Sequence, residues 1–147
     1  MAYDYVCTFD LKECIETLGL NERGRVQQFV TNEVLKLCDP YVPLDTGALR
    51  QSGHIEAGTD IVWGPPGAGP YARYQWGGKV WIDPVINAAG FKTPNGWRSR
   101  KGAIKVSTDR DLKYQNGPLR GGHWVDRMMQ NGGREKIEDG ARKVAGK

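Results

Sequence analysis

The side chains of this chain that are able to do chemistry are few, and their spacing is the first thing to examine. The possible metal ligands are scattered along the sequence: Cys7, Cys14, Cys38, His54 and His123. Zinc sites usually present two close pairs of ligands, so this spacing predicts no metal site. Three thiols cannot all pair within one chain and none forms a CxxC motif, so we expect reduced cysteines.

Nucleophilic catalysis needs a thiol or a hydroxyl beside a base. Cys38, His123 and an aspartate form one conceivable set, and Ser52 with His54 forms another. Cys38 lies on the apolar stripe of a predicted helix, where an inert core thiol is expected. Ser52 and His54 would lie on the same face of a strand, but any two residues spaced two apart would do so. Their spacing is therefore no evidence for a catalytic pair. The sequence therefore predicts no catalytic residue. A small hydrolase stays open as an alternative, and it requires fast alkylation of Cys38 in the native state.

The glycine-rich segment 64–70 is the candidate for a phosphate-binding loop. A loop of the GxxxxGK[ST] type needs a lysine that this segment lacks, and its three prolines remove backbone donors. The segment therefore predicts a rigid, shaped loop, and no cofactor is expected.

Composition limits the architecture that has to position these residues. A chain of 147 residues is expected to form one domain, residues 1–147. A hydrophobic content of 39% is low, and 20 glycines with 8 prolines are many, which predicts a modest core and long loops. The net charge of +4 predicts solubility and does not by itself indicate nucleic-acid binding. No apolar stretch approaches the roughly 20 residues of a membrane span, so no membrane contact is expected.

Hydrophobic periodicity predicts the elements of the fold. A period of two over residues 3–11 predicts a strand, and a stripe at spacings of three and four predicts a helix over 21–38, capped by Asn21 and ended by Asp39-Pro40. Further predicted segments are strands at 54–57, 61–64, 79–82 and 104–108, a long loop at 84–103, and a helix from 122 that Asn131-Gly132-Gly133 interrupts. The predicted fold is α+β, in which a small, mostly antiparallel sheet packs against the two helices.

A structural turn is predicted directly after the first long helix, at Asp45-Thr46-Gly47. The Asp45 or Thr46 side chain accepts backbone amides just beyond it, and Gly47 tolerates a positive φ. The turn is expected to lead into the sheet, with Leu49 directed inward and Arg50 outward.

The segment 70–78 combines aromatic residues with arginine, a composition typical of protein contact surfaces. Arg73 and Gln75 alternate with the aromatic residues, which predicts one aromatic and one polar face. Two alternatives stay open: the aromatic side chains fill the core, or they anchor an interface. The residues predicted at a subunit interface are Arg50, Tyr71, Arg73, Tyr74 and Trp76.

Positive charge is concentrated in residues 92–113, which carry seven basic and two acidic side chains. Two alternatives are open for this stretch: contact with DNA phosphates or another anionic surface, and a solvated loop. The residues predicted to face DNA are Arg98, Arg100, Lys101 and Lys105. Together with Trp97, the stretch also defines an alternative function, a small nucleic-acid-binding module whose affinity falls steeply with salt.

Several motifs together carry a family resemblance. They are Pro43-x-Asp45-Thr46-Gly47-x-Leu49-Arg50-x-Ser52, Tyr71-Ala72-x-Tyr74-Gln75-x-Gly77, Lys79-Val80-x-Ile82-Asp83-Pro84 and Gly121-Gly122-His123-Trp124-Val125-Asp126-Arg127-Met128. In this order, from about residue 20 to 130, the chain resembles the minor capsid, or head–tail joining, proteins of long-tailed bacteriophages and prophages.

The resemblance implies a structural protein of the virion neck, without enzymatic activity, that forms a ring joining the DNA-filled head to the tail. It favours a hexamer, with a dodecamer as the alternative. The implied neighbours are a portal-side connector and a tail terminator or tail tube protein, with transient, non-specific contacts to passing DNA. The loop at 84–103 is expected to reach toward a neck partner, and assembly is expected in the host cytoplasm.

Overall fold

The computed structural model describes residues 10–64 and 71–147, so most of the predicted loop at 64–70 lies outside the described residues. The helices are α1 (Leu11–Leu18), α2 (Arg25–Cys38), α3 (Ala48–Gln51), α4 (Tyr71–Gly77), α5 (Trp124–Met128) and α6 (Arg134–Ala145). The strands are β1 (His54–Glu56), β2 (Asp60–Val62), β3 (Lys79–Ile82), β4 (Phe91–Thr93), β5 (Gly96–Arg98) and β6 (Val106–Asp111). Helices with small antiparallel sheets confirm the predicted α+β class. Within the described ranges, no helix is long and apolar enough to cross a bilayer.

The strands form three separate antiparallel pairs, whereas the sequence predicted one sheet. β1 pairs with β2, β3 with β6, and β4 with β5. Among the described residues, the prediction of a single sheet is wrong: α4 lies between the β1–β2 hairpin and β3, and the β4–β5 hairpin is inserted between β3 and β6 without hydrogen-bonding to either strand. The predicted hairpin of β1 and β2 and the predicted strand β3 are confirmed.

The core lies where α2 packs against α5 and α6. Its buried apolar side chains are Val34, Cys38, Val42, Leu49, Trp124, Met128 and Ile137. In α2 the buried positions recur along one side of the helix, as the periodicity predicted. α6 comes very close to α2 at Gly140, where an added Cβ would lie 2.3 Å from the Phe29 ring. Glycine is therefore the residue that permits this helix contact.

The boundaries of α2 are partly as predicted. Gly24 precedes the first helical residue and no side chain caps the helix, so the predicted cap at Asn21 is wrong. Asn21 belongs to a turn in which its carbonyl accepts the Gly24 amide at 2.8 Å. The end of α2 at Cys38, directly before Asp39-Pro40, is confirmed.

The strand predicted over residues 3–11 lies mostly outside the described residues. Where it can be compared, it is wrong, because Leu11 is the first residue of α1. Asp10 caps this helix, and its carboxylate accepts the amides of Lys12 at 2.9 Å and Glu13 at 3.3 Å. Side-chain capping stabilises a helical start that the alternating pattern did not reveal.

The segment predicted as a loop at 84–103 contains a hairpin, which corrects the prediction. In it, β4 and β5 are joined by the two-residue turn Pro94-Asn95, with Phe91 opposite Arg98 and Lys92 opposite Trp97. Strands of three residues are too short to give a periodic signal, so the sequence did not predict them. β6 begins at Val106, later than the predicted start at 104. We call residues 84–105, between β3 and β6, the arm.

The C-terminal helix is kinked where the sequence predicted an interruption. Asn131 and Gly132 leave helical geometry, and Gly132 has a φ of 89°, so α5 and α6 are joined by a distorted turn. On α6, the Glu138 carboxylate accepts from the Arg134 guanidinium at 2.8 Å. Arg142 contacts Asp139 at 3.4 Å, one turn back.

Candidate functional site

The predicted structural turn connects α2 to α3. Gly47 has a φ of 87°, and the Thr46 hydroxyl accepts the Ala48 amide at 3.4 Å. Leu49 is buried in the core and Arg50 is exposed. The turn leads first into α3, a single helical turn, and the chain enters β1 only at His54, which corrects the expected direct entry into the sheet.

Within the predicted segment 70–78, Tyr71–Gly77 form the helix α4, so the expected alternation of an extended chain is wrong. In α4, Ala72 and Trp76 lie four residues apart on one side and pack against the core. The Trp76 ring meets Trp124 edge-to-face at 4.7 Å between ring centroids. On the other side, Tyr71 and Arg73 are exposed.

The five predicted interface residues therefore divide between the core and the surface. Tyr74 is half-buried, with its ring centroid 5.0 Å from that of Trp81. The exposed Arg50 donates to the Asp39 carboxylate at 2.6 Å, which ties α3 to the end of α2. Of this set, Tyr71 and Arg73 are the residues that offer free surface for a partner.

The arm is anchored at its base by an ion pair that sequence analysis missed. The Asp83 side chain is almost fully buried, and its oxygens accept from the Arg100 guanidinium at 2.9 and 3.2 Å. The Val85 amide also donates to Asp83, at 2.9 Å. These donors hold the pKa of the Asp83 carboxyl below its usual value, with the Arg100 hydrogen bond as the largest cause. Arg100 thus closes the arm onto the end of β3.

The four basic residues predicted to face DNA have different surroundings. Arg100 is held by Asp83, and the Lys105 ammonium donates to the Ala89 carbonyl at 2.7 Å, so both support the arm. Arg98 and Lys101 are exposed, and their side chains have no hydrogen-bond partner within the described residues. Only the latter two present free positive charge to an anionic surface.

The arm also exposes a group of large apolar side chains. Those more than a third exposed in residues 84–106 are Val85, Ile86, Phe91, Trp97, Ile104 and Val106. Trp97 is 71% exposed and Ile104 81% exposed, which is unusual for such large residues. Apolar residues gathered on the surface mark sites of protein contact, so the arm is the candidate functional site. In the sequence, the feature that indicated this site was Trp97 lying among basic residues.

The residues weighed for catalysis do not form a reactive site. The Ser52 hydroxyl donates to the Leu49 carbonyl at 2.6 Å and accepts the Gly64 amide at 2.8 Å. The His54 ring contacts the Ser52 carbonyl at 2.7 Å, not its hydroxyl, so it does not act as its base. Among the described residues, no three His, Cys, Asp or Glu side chains are grouped to hold a metal ion.

Cys38 is expected to resist alkylation in the native protein. Its side chain is fully buried, and burial raises the pKa of the thiol to about 12, so almost no thiolate exists at neutral pH. Iodoacetamide labelling, followed by mass spectrometry, should modify Cys38 at least 100-fold more slowly than in urea. Cys14, which is half-buried, is the internal control and should label faster. Rapid native labelling of Cys38 would restore the hydrolase alternative.

Substituting Asp83→Asn is expected to loosen the arm and lower the Tm by roughly 5 °C or more. Because the pKa of Asp83 is lowered on folding, the ionised carboxylate stabilises the fold above its unfolded pKa of about 4. This stabilisation is lost as pH falls through the folded pKa. Thermal unfolding of both proteins should therefore give a difference in Tm that is full at pH 7 and shrinks in strong acid. Asp109→Asn, an exposed carboxylate on β6, is the matched control and should show little change.

The fold and the arm define a class: a small α+β protein that exposes apolar and basic side chains on one arm. The model of a family described as minor capsid protein matches residues 7–109. The chain therefore belongs to this family of bacteriophage minor capsid proteins and is a structural component of the virion, as the motifs indicated. Neither curated proteins nor solved structures gave a match.

Proposed function

We propose that this minor capsid protein forms a ring in the phage neck that joins the DNA-filled head to the tail. The observation that carries the proposal is the arm, which exposes tryptophan, phenylalanine and branched apolar residues on a member of a virion family. Such a surface is unfavourable in water and is expected to be covered in the assembled state. The protein acts by contact alone, without catalysis.

A ring requires a heterologous interface, in which one surface of a subunit meets a different surface of its neighbour. The arm supplies one surface, and the exposed side of α4 with Tyr71 and Arg73 supplies another on the same chain. Two unlike surfaces on one subunit also allow contacts above and below the ring. We propose a portal-side connector and a tail terminator or tail tube protein as the neighbours.

A phage lacking this gene tests the proposed function. Electron microscopy of the lysate should show filled heads and separate tails, and expression of the chain in trans should restore joined, infectious particles. Antibody-labelled virions should carry the label at the neck. Normal joining without the chain, or label elsewhere on the virion, would refute the neck role.

Contact with passing DNA is expected to be weak and to depend on Arg98 and Lys101. With only about two phosphates neutralised, gel shifts with the purified chain should be weak at about 50 mM salt, and the affinity should fall only about tenfold by about 200 mM. The variant with Arg98→Glu and Lys101→Glu should not shift, whereas Arg110→Glu, on β6, should still do so. Tight binding at about 50 mM salt that falls steeply with added salt would favour the alternative, a small nucleic-acid-binding module, and no shift at about 50 mM salt would eliminate that alternative.

A further inference from the structure

A second exposed apolar surface lies on α1 and the residues that follow it. α1 has no buried residue, and Leu11, Cys14, Ile15 and Leu18 recur at spacings of three and four, so they share one side of the helix. Leu11 is 63% exposed, Leu18 is 41% exposed, and Leu20 just beyond the helix is 48% exposed. Among the described residues, the leucines on this side of α1 therefore stay exposed, with Cys14 and Ile15 half-buried between them. We call residues 10–22 the α1 surface.

The α1 surface is acidic. It carries four carboxylates, Asp10, Glu13, Glu16 and Glu22, against a single basic residue, Lys12. Asp10 is used as the cap of α1. Among the described residues, the three glutamates form no ion pair, so their charges are free to meet a basic partner.

The arm has the opposite character. Residues 84–105 carry five basic side chains and no acidic one. On the β4–β5 hairpin, Lys92 lies opposite the exposed Trp97 on one face, and Arg98 lies opposite the exposed Phe91 on the other. Lys92 and Arg98 lie on β4 and β5 with exposed side chains. Both surfaces are thus apolar, and their charges are complementary. The chain's own arm does not cover the α1 surface, because the exposed fractions are those within the folded chain.

We propose that the arm of one copy docks on the α1 surface of the next copy. Apolar contact between Trp97 and the leucines of α1 would supply the affinity, and the basic and acidic side chains around it would fix the register. The contact joins two different surfaces, so it propagates from copy to copy and closes a ring when the rotation permits. This inference rests on the proposed ring: it assigns the α1 surface as the partner of the arm and leaves the exposed residues of α4 for contacts above or below the ring.

Charge reversal tests the pairing directly. One variant carries Lys92→Glu with Arg98→Glu, a second carries Glu13→Lys with Glu16→Lys, and a third carries all four. Since all four side chains are exposed, each variant should keep the wild-type circular dichroism spectrum. Self-association is measured by sedimentation at concentrations up to about 1 mM. The first two variants should associate about tenfold more weakly than wild type or weaker still, and the third should associate about as strongly as wild type. Unchanged association in the second variant, or no recovery in the third, would overturn the proposal.

Cross-linking in assembled virions tests the same contact where the protein acts. For this test the chain is given two substitutions: Cys7→Ser removes a competing thiol, and Ser99→Cys places a thiol on the arm. A bismaleimide can then join the arm to the native Cys14 of a neighbouring α1. A ladder of multimers is expected, and it should disappear with Cys14→Ser or when Ser107→Cys on β6 replaces Ser99→Cys. Protein located at the neck without a ladder would overturn the proposed pairing and leave the neck role standing. A ladder in protein located elsewhere would keep the pairing and refute the neck role.

Discussion

Replacing Trp97 by alanine is expected to leave the folded subunit intact and to prevent efficient head–tail joining. The side chain is 71% exposed on β5, so its removal takes little from the folded chain. A tryptophan buried at an interface commonly contributes 2 kcal/mol or more, which corresponds to about a 30-fold weaker association at each contact. In the proposed ring this contact would repeat at every subunit, so the loss would be repeated as well. The titre of infectious phage and the fraction of joined particles in micrographs measure the effect.

Two variants serve as controls for this prediction. Leu119→Ala removes another exposed apolar side chain, 42% exposed and outside both the arm and the α1 surface, and should join heads to tails normally. Trp97→Phe keeps an aromatic ring and should retain part of the activity. Both variants, like Trp97→Ala, should unfold at the wild-type temperature. Normal titre with Trp97→Ala would show that the arm is not an assembly contact.

The arm illustrates what sequence reasoning could and could not supply. Composition alone identified Trp97 within a basic stretch as a candidate surface. Its hairpin was not predicted, because Phe91–Thr93 and Gly96–Arg98 are three residues each and have no usable period. The exposure of Ile104 also has no sequence signal, since an apolar residue in a predicted strand is normally expected to be buried.

Counting charges likewise could not tell which basic side chains are free at the surface and which are held by contacts within the fold. Arg100 belongs to the same basic run as Arg98, yet it pairs with Asp83, seventeen residues earlier in the chain. That pairing depends on the chain folding back between β3 and β6, which is a tertiary property. Arg98, on the hairpin, remains a predicted contact to anionic surfaces.

Local chemistry, in contrast, was readable where neighbouring residues decide the structure. The end of α2 before Pro40 follows from proline's missing backbone N–H, which leaves the Lys36 carbonyl without its i+4 donor, while Asp39 itself keeps helical φ and ψ. The segment 70–78 was misread because its pattern fits either period: Ala72 and Trp76, which pack against the core, are four residues apart and would share one face in a strand as well as in a helix. When a segment of four to nine residues fits both patterns, tertiary packing rather than intrinsic propensity decides whether it forms a helix or a strand.

Trp124→Ala is expected to lower the free energy of unfolding by about 3–5 kcal/mol, the largest stability effect of any single change considered. Trp124 is 2% exposed, and its ring meets Trp63 edge-to-face with 5.6 Å between centroids and Trp76 with 4.7 Å. Alanine would leave a cavity between α2, α4 and α5 that the rigid aromatic neighbours cannot fill. Since the total free energy of unfolding of a typical domain is about 5–15 kcal/mol, the expected loss is a large fraction of it.

Thermal and urea unfolding measure this change, and a Tm lower by roughly 10–15 °C is expected for a chain of this size. Trp97→Ala is the matched comparison, since the same atoms are removed from an exposed site and little change in Tm should follow. Trp124→Phe keeps an aromatic ring against Trp63 and Trp76 and removes an indole N–H that has no acceptor among the described residues, so its loss should be smaller. Equal losses for Trp124→Ala and Trp97→Ala would contradict the assignment of one ring to the core and the other to assembly.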